Sequence, residues 1–333
     1  MMPTTMTTSS VPSMTIDQKG MILTAGATLD RHETAHETTT RVAGKLADFK
    51  NKDAIRLPVL VNLIKEMDVL RQAGALLAPG VPHDGMCVCV PAGVGKSTTA
   101  AMMAASAATR AGVPLSEGPV LVVPLDVDDT ISVWSCILRE MGDPYFDVGY
   151  LKNLKRRAIK LLDKRGVDLI IIDEFNHAVD RGQARYIMNT VKEILNGGIA
   201  PVVVMGTNEE VEKLPRNKAF ERRMVHATEI GPLDWDRHEQ DWRGFLQGMD
   251  RAIVDRQILP ASSGLGARKL AEALCESCDG VIGYAHWVVQ DALTAVLRRG
   301  GRTIDPSDLA VSVNRLLVKE ELFGRVNAVE LLQ

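Results

Sequence analysis

A strand that runs straight into a glycine loop and then into a helix limits what this 333-residue chain can be more tightly than any other feature. From Cys87 to Thr99 it reads Cys-Val-Cys-Val-Pro-Ala-Gly-Val-Gly-Lys-Ser-Thr-Thr, and an Ala/Met-rich stretch follows. A triphosphate needs many N–H donors and little side-chain bulk, and Gly93 and Gly95 let the loop turn its backbone N–H groups inward at a helix N-terminus. Lys96 adds a point charge for the β- and γ-phosphates, and Ser97 offers a hydroxyl to Mg²⁺. The Walker A pattern G-x-x-x-x-G-K-[ST] is met at Gly95, Lys96 and Ser97, while Val90 stands at its first position. The loop therefore predicts a site for ATP and Mg²⁺ built from Pro91, Ala92, Gly93, Val94, Gly95, Lys96, Ser97 and Thr98.

The surrounding pattern predicts the sheet such a loop requires. Apolar residues recur at helical spacing from Leu57 to Leu77, and Pro79 to Pro82 stops them before a strand begins at Met86. After the loop helix, short aliphatic runs at 119–126, 167–173 and 201–206 alternate with helical stretches at 133–141, 149–165 and 183–195. Continuous β-branched runs suit strands covered on both faces. Strands alternating with helices of this length imply parallel pairing through right-handed crossovers, hence a three-layer α/β domain. A further strand is expected at 225–230. From about His238 the strand signals vanish and helices follow, including 267–278 and 284–297, which predicts a small C-terminal helical lid. The Thr/Ser/Met-rich segment before residue 56 lacks sustained periodicity and reads as a flexible tail. The expected divisions are 1–55, 56–237 and 238–333.

Ligands on such sheets bind at the carboxyl ends of the strands, where the polar residues of this chain collect. Asp173 and Glu174 close an aliphatic strand in a Walker B arrangement. Asp173 is placed to hold Mg²⁺ through water and Glu174 to orient and polarise an attacking water, the alternative being a pair of acids that caps a helix. A water-activating carboxylate at that position points to a hydrolase rather than a kinase. Thr207 or Asn208, after the next strand, could sense the γ-phosphate or hold the water. Arg222 and Arg223 precede the last strand, either as solvated side chains or as an arginine offered to a neighbouring subunit's nucleotide. His177 follows the two acids and reads as structural or as a coupling residue.

Composition excludes several classes. With 46% hydrophobic residues the chain can bury a full core, yet no apolar run approaches the roughly 18 residues of a membrane span. Residues 1–20 lack the basic start and apolar core of a signal peptide, so a cytoplasmic protein with no membrane partner is expected. The five cysteines, Cys275 and Cys278 among them, lack zinc-ligand spacing with histidines and read as buried or free thiols. The net charge of −3 means that a nucleic-acid surface must be local. One such run exists. Between Lys152 and Arg165, a stripe of Leu151, Leu154, Ala158, Leu161 and Leu162 turns Lys152, Lys155, Arg156 and Lys160 toward solvent, as an ordinary solvated face or as a row of phosphate contacts.

Taken together, Pro91 to Ser97, Ile-Ile-Ile-Asp-Glu at 170–174, Val-Val-Met-Gly-Thr-Asn at 203–208 and Phe-Glu-Arg-Arg at 220–223 resemble the AAA+ ATPases. With Asp-Gly-Val-Ile-Gly at 279–283, the set looks more specifically like the TniB/TnsC-type transposition regulators, over about residues 57–313. The resemblance implies an ATP-bound homo-oligomer that assembles on double-stranded target DNA and recruits or activates a partner DDE-type transposase. It implies Arg223 as the finger, and DNA contacts between the second strand and Walker B, where Lys152, Lys155 and Arg156 lie. Two departures accompany it. Val90 replaces the leading glycine, and Gly280 to Val288 carries Tyr284, His286 and Trp287 but no arginine where a sensor-2 residue often stands, which implies slow, regulatory hydrolysis. A helicase-loader or initiator-like ATPase and a nucleotide-switched signalling scaffold are the competing readings; residues after the lid are too few for an initiator's winged-helix module.

Overall fold

Five short parallel strands, among the described residues, lie side by side in the order β2-β3-β4-β1-β5. They are β1 (Gly85–Cys89), β2 (Val120–Pro124), β3 (Leu169–Asp173), β4 (Val202–Gly206) and β5 (Met224–His226). The computed structural model describes residues 35–50, 57–125, 132–180, 182–207, 223–226, 230–318 and 327–332. Alternate side chains leave a strand on opposite faces, and the two cores follow from that. Met86, Val88, Leu169, Ile171, Val203 and Met205 pack on one face with helices α2 (Pro58–Ala75) and α3 (Lys96–Ala111). Cys87, Val123, Ile170, Ile172 and Val204 pack on the other with α4 (Val133–Glu140), α5 (Leu151–Arg165) and α7 (Ala184–Asn196). A short α6 (Phe175–Asp180) follows β3. This is the three-layer α/β arrangement that the sequence implies.

The C-terminal part is helical: α8 (Trp235–Asp255), α9 (Arg268–Ser277), α10 (Ile282–Arg299) and α11 (Pro306–Val313). The Trp242 indole donates to the Ala271 carbonyl at 2.8 Å, tying α8 to α9. Asp250 accepts from Ser262 Oγ (2.6 Å) and from the backbone N–H groups of Ser263 (2.8 Å) and Gly264 (2.9 Å), which fixes the turn before α9. Buried residues of this lid belong to the same core as α2 and α3. Lid and sheet therefore share apolar surface.

Three expectations differ from the structure. A flexible tail to residue 55 is corrected over 35–50, which form helix α1 (Ala35–Lys50) against α10. Val42 and Phe49 are buried, the Phe49 ring stacks on His286 at 5.1 Å, and Lys45 Nζ donates to the Ile258 carbonyl at 2.7 Å. The apolar stripe of Val42, Leu46 and Phe49 is short and finds its partners far along the chain, so local pattern does not reveal it. The lid boundary at 237/238 falls inside α8, because Asp234 caps that helix by accepting from the Arg237 N–H at 3.1 Å; His238 is a non-helical kink within it. The last strand begins one residue early, at Met224, and the expected residues 227–229 lie outside the described set. No helix among the described residues is long and apolar enough to cross a membrane. The buried thiols of Cys87 and Cys275 are pushed up by desolvation to about 12 and about 11, so both stay protonated at neutral pH.

Candidate nucleotide site

β1, β3 and β4 are neighbours in the sheet, so the loops that leave their carboxyl ends meet at one edge. Cys89 pairs with Gly206, and Val90 continues the pairing by donating its N–H to the Gly206 carbonyl at 3.0 Å. Val90 and Val94 are buried in the α2/α3-side core, whereas Pro91, Ala92 and Gly93 are exposed. Val90 thus acts as a last strand residue with a core side chain, which accounts for a β-branched residue where the pattern has glycine. Gly93 and Gly95 have φ of 79° and 97°, a left-handed conformation that side chains disfavour. Gly95 caps α3, and Thr99 Oγ1 returns a hydrogen bond to its carbonyl at 2.9 Å. Ser97 and Thr98 are exposed on the first turn of α3.

Lys96 is buried, and its Nζ lies 3.2 Å from Asp173 Oδ1 and 3.0 Å from Glu174 Oε1. Neither contact has hydrogen-bond geometry, and no described residue accepts a hydrogen bond from this ammonium. Among the described residues, then, the ammonium has ion pairs but no aligned hydrogen-bond acceptor. A buried cation whose N–H groups lack an aligned acceptor, beside glycines that leave the loop bare, fits the oxygens of a phosphate chain. Asp173 is itself buried, while Glu174 is about one-third exposed, with 33% of its side chain open. Glu174 adopts φ of 59°, a left-handed state that costs a non-glycine residue roughly 1–3 kcal/mol. Its N–H donates to Asp173 Oδ1 at 2.8 Å, so the strained turn holds the two carboxyl groups in a fixed relation.

Thr207 is the residue after β4, between the loops of β1 and β3. Asn208 and Arg222 lie outside the described residues. His177 Nδ1 is 3.0 Å from the Leu125 carbonyl, a structural tie between α6 and the end of β2. Arg223 is at the other edge of the sheet. Its carbonyl accepts from the Gly85 N–H at 2.7 Å, at the start of β1. Five strand residues separate that edge from the phosphate loop, about 16 Å at 3.3 Å per residue, so the structure does not bring Arg223 to the Lys96–Glu174 cluster of the same chain.

The basic helix α5 buries Leu154, Ala158 and Leu162, whereas Leu151 is exposed and Leu161 only half-buried. Lys155 is corrected as a free cation: it pairs with Glu193 of α7 at 2.8 Å and its Nζ lies 5.7 Å from the centroid of the buried Trp134 ring. Arg157 is likewise engaged, by Asp143 and by the Tyr145 and Val148 carbonyls. Lys152, Arg156, Lys160 and Lys164 stay exposed at four-residue spacing on one face, without an ion pair to a described residue. Lys164 is the member that the sequence pattern leaves unmarked at first sight, although the i, i+4 repeat contains it.

Comparison with known proteins gives a consistent picture. The sequence profile of the family described as bacterial TniB protein matches residues 51–229. No curated protein matches the chain. Among solved structures, the chain resembles Cdc6p from Pyrobaculum aerophilum, with a TM-score of 0.53 and 15% identity over 86% of this chain and 73% of that one. It also resembles the Orc1 protein of Aeropyrum pernix, solved in complex with DNA, with a TM-score of 0.57 and 17% identity over 81% and 69% of the two chains. At such identities the likeness speaks for the fold.

Proposed function

Because this chain belongs to the bacterial TniB family, we propose that it is an ATP-hydrolysing regulator of DNA transposition that assembles with ATP on double-stranded DNA and engages a DDE-type transposase. The observation that carries the enzymatic part is the buried Lys96 ammonium, charge-paired to Asp173 and Glu174 yet with no aligned hydrogen-bond acceptor among the described residues. Phosphate oxygens entering the loop take those donors and separate Lys96 from Glu174. Glu174 is then free to accept a hydrogen bond from a water and to draw off its proton, the role of a water-positioning carboxylate. Ser97 and Asp173 are the residues that would hold Mg²⁺, which when bound neutralises charge on the phosphate oxygens. Thr207 is the described candidate for the γ-phosphate sensor, with Asn208 beside it in sequence.

Residues 56–234 stand as the nucleotide-binding unit and the helices from Trp235 as its lid. The placement of Arg223 supports a site completed between subunits, because its own phosphate loop lies at the far edge of the sheet. Light scattering with a non-hydrolysable ATP analogue and a duplex of mixed sequence tests the assembly. Large particles are expected with both ligands present and with neither one alone. A protein that stays monomeric with both contradicts the reading, and a family transposase that binds equally well without nucleotide removes the regulatory part of it.

The exposed row on α5 is the proposed DNA contact. Phosphate contacts supply affinity without reading sequence. Replacing Lys152, Arg156 and Lys160 together by alanine is expected to weaken binding to all duplexes alike. It should also flatten the dependence of log affinity on log salt by about 0.9 for each phosphate that the variant no longer neutralises. Lys155→Ala alone should change that slope little, since its charge is already shared with Glu193. A parental salt slope in the triple variant would remove DNA from this face.

A further inference from the structure

The phosphate loop and the lid meet through their backbones. The N–H of Gly283, in the first turn of α10, donates to the Gly93 carbonyl at 2.8 Å. A Cβ on Gly283 would stand 2.7 Å from that oxygen and 2.9 Å from Gly93 Cα, closer than packed atoms come. Gly283 does not have a positive φ, so its backbone conformation is open to any residue. Glycine within a helix costs about 1 kcal/mol relative to alanine. The demand for glycine here is therefore one of close approach. Neighbours tighten the same contact: Val281 Cγ1 would lie 2.9 Å from a Cβ on Gly93, and Leu60 and Ile282 flank Gly95. At the other end of this short segment, the Gly280 carbonyl accepts from the Leu233 N–H at 2.9 Å, and a Cβ on Gly280 would collide with the Leu233 carbonyl. Residues 280–283 thus form a strut from the base of the lid to the loop.

A trans peptide points its C=O and its N–H in opposite directions. Holding the Gly93 carbonyl toward α10 consequently turns the Val94 N–H, which belongs to the same peptide plane, to the side away from the lid. We propose that the Gly283 amide is a positioning group of the phosphate site, which fixes the Gly93–Val94 peptide so that the Val94 N–H faces the phosphates and which links phosphate binding to the seating of the lid. This rests on the reading of the loop as a nucleotide site. It gives a backbone route from nucleotide to lid in a chain whose 280–288 segment carries no arginine. The link is reciprocal: a lid seated on the loop favours phosphate binding, and bound phosphate favours the seated lid.

The test uses the full chain, a fluorescent non-hydrolysable ATP analogue with Mg²⁺, and hydrogen exchange of the segment 279–287. In the parental protein the analogue is expected to slow exchange there. Gly283→Ala is expected to weaken analogue binding by about tenfold or more, the scale of one hydrogen bond to a charged group, and to abolish the slowing. Gly244→Ala, on α8 where a Cβ would meet no atom within 4 Å, serves as the lid control and should match the parent in both measurements. Parental affinity in Gly283→Ala, or exchange at 279–287 that the analogue leaves unchanged in the parent, overturns the proposal. Should Gly283→Ala fail to fold, the parental exchange measurement decides by itself. Lys96→Ala separates the two levels. If it loses the analogue while Gly283→Ala keeps it, the positioning role alone falls, whereas parental binding by Lys96→Ala means that the nucleotide reading has failed.

Discussion

Alanine at Lys96 is expected to abolish binding of ATP, whereas Glu174→Gln is expected to bind ATP as the parent does and to lose turnover by roughly 10²-fold or more. The two residues touch, yet their removal acts on different steps. Lys96 is the buried cation between Asp173 and Glu174, and its loss leaves two facing carboxylates that repel the phosphates it would attract. Glutamine keeps the size of Glu174 and its oxygen acceptor, and it tolerates the left-handed backbone as well or as poorly as glutamate does. It lacks the basicity needed to draw a proton from water. Equilibrium binding of a fluorescent analogue and single-turnover phosphate release distinguish the steps. Phosphate release at the parental rate by Glu174→Gln would show that some other group activates the water.

The second large effect is expected at the opposite edge of the sheet. Arg223→Ala should leave nucleotide affinity of the monomer unchanged and reduce turnover in the assembled state by roughly 10³-fold, the scale of an arginine finger supplied in trans. The reason is geometric: Arg223 immediately precedes β5, with its carbonyl on the Gly85 N–H, about 16 Å of strand away from the loop that follows Cys89. Mixing Arg223→Ala with Lys96→Ala protein offers a direct reading. One variant keeps an intact phosphate loop and the other an intact Arg223, so the mixed interface in which the Arg223→Ala subunit supplies the loop and the Lys96→Ala subunit the arginine is complete, and part of the activity should return. Mixtures as inactive as their components, with turnover independent of protein concentration, would place the completing arginine elsewhere.

The strands, their order of appearance and the polar residues at their carboxyl ends were legible because each signal is local. A β-branched run such as 169–173 reports its burial on both faces, and Gly93, Gly95 and Lys96 report a phosphate loop through their spacing alone. Family resemblance added the choice of Arg223. What stayed hidden depends on partners distant in the chain. Lys155 carries the same charge as Lys152, and only the position of Glu193 on α7 and of Trp134 beneath it removes Lys155 from the free row. Helix α1 has too few apolar residues to declare itself, and its stability comes from α10, with Phe49 on His286. Gly283 looks like an ordinary helix-start glycine until the Gly93 carbonyl is seen 2.8 Å from its N–H. By itself, then, the sequence determined the α/β class, the phosphate loop and the acids that face it, since hydrophobic period and glycine placement act within a few residues. The tertiary structure decided which cations are free, which arginine is out of reach of its own loop and how the lid touches the phosphate site, because those depend on distances between segments that no local pattern encodes.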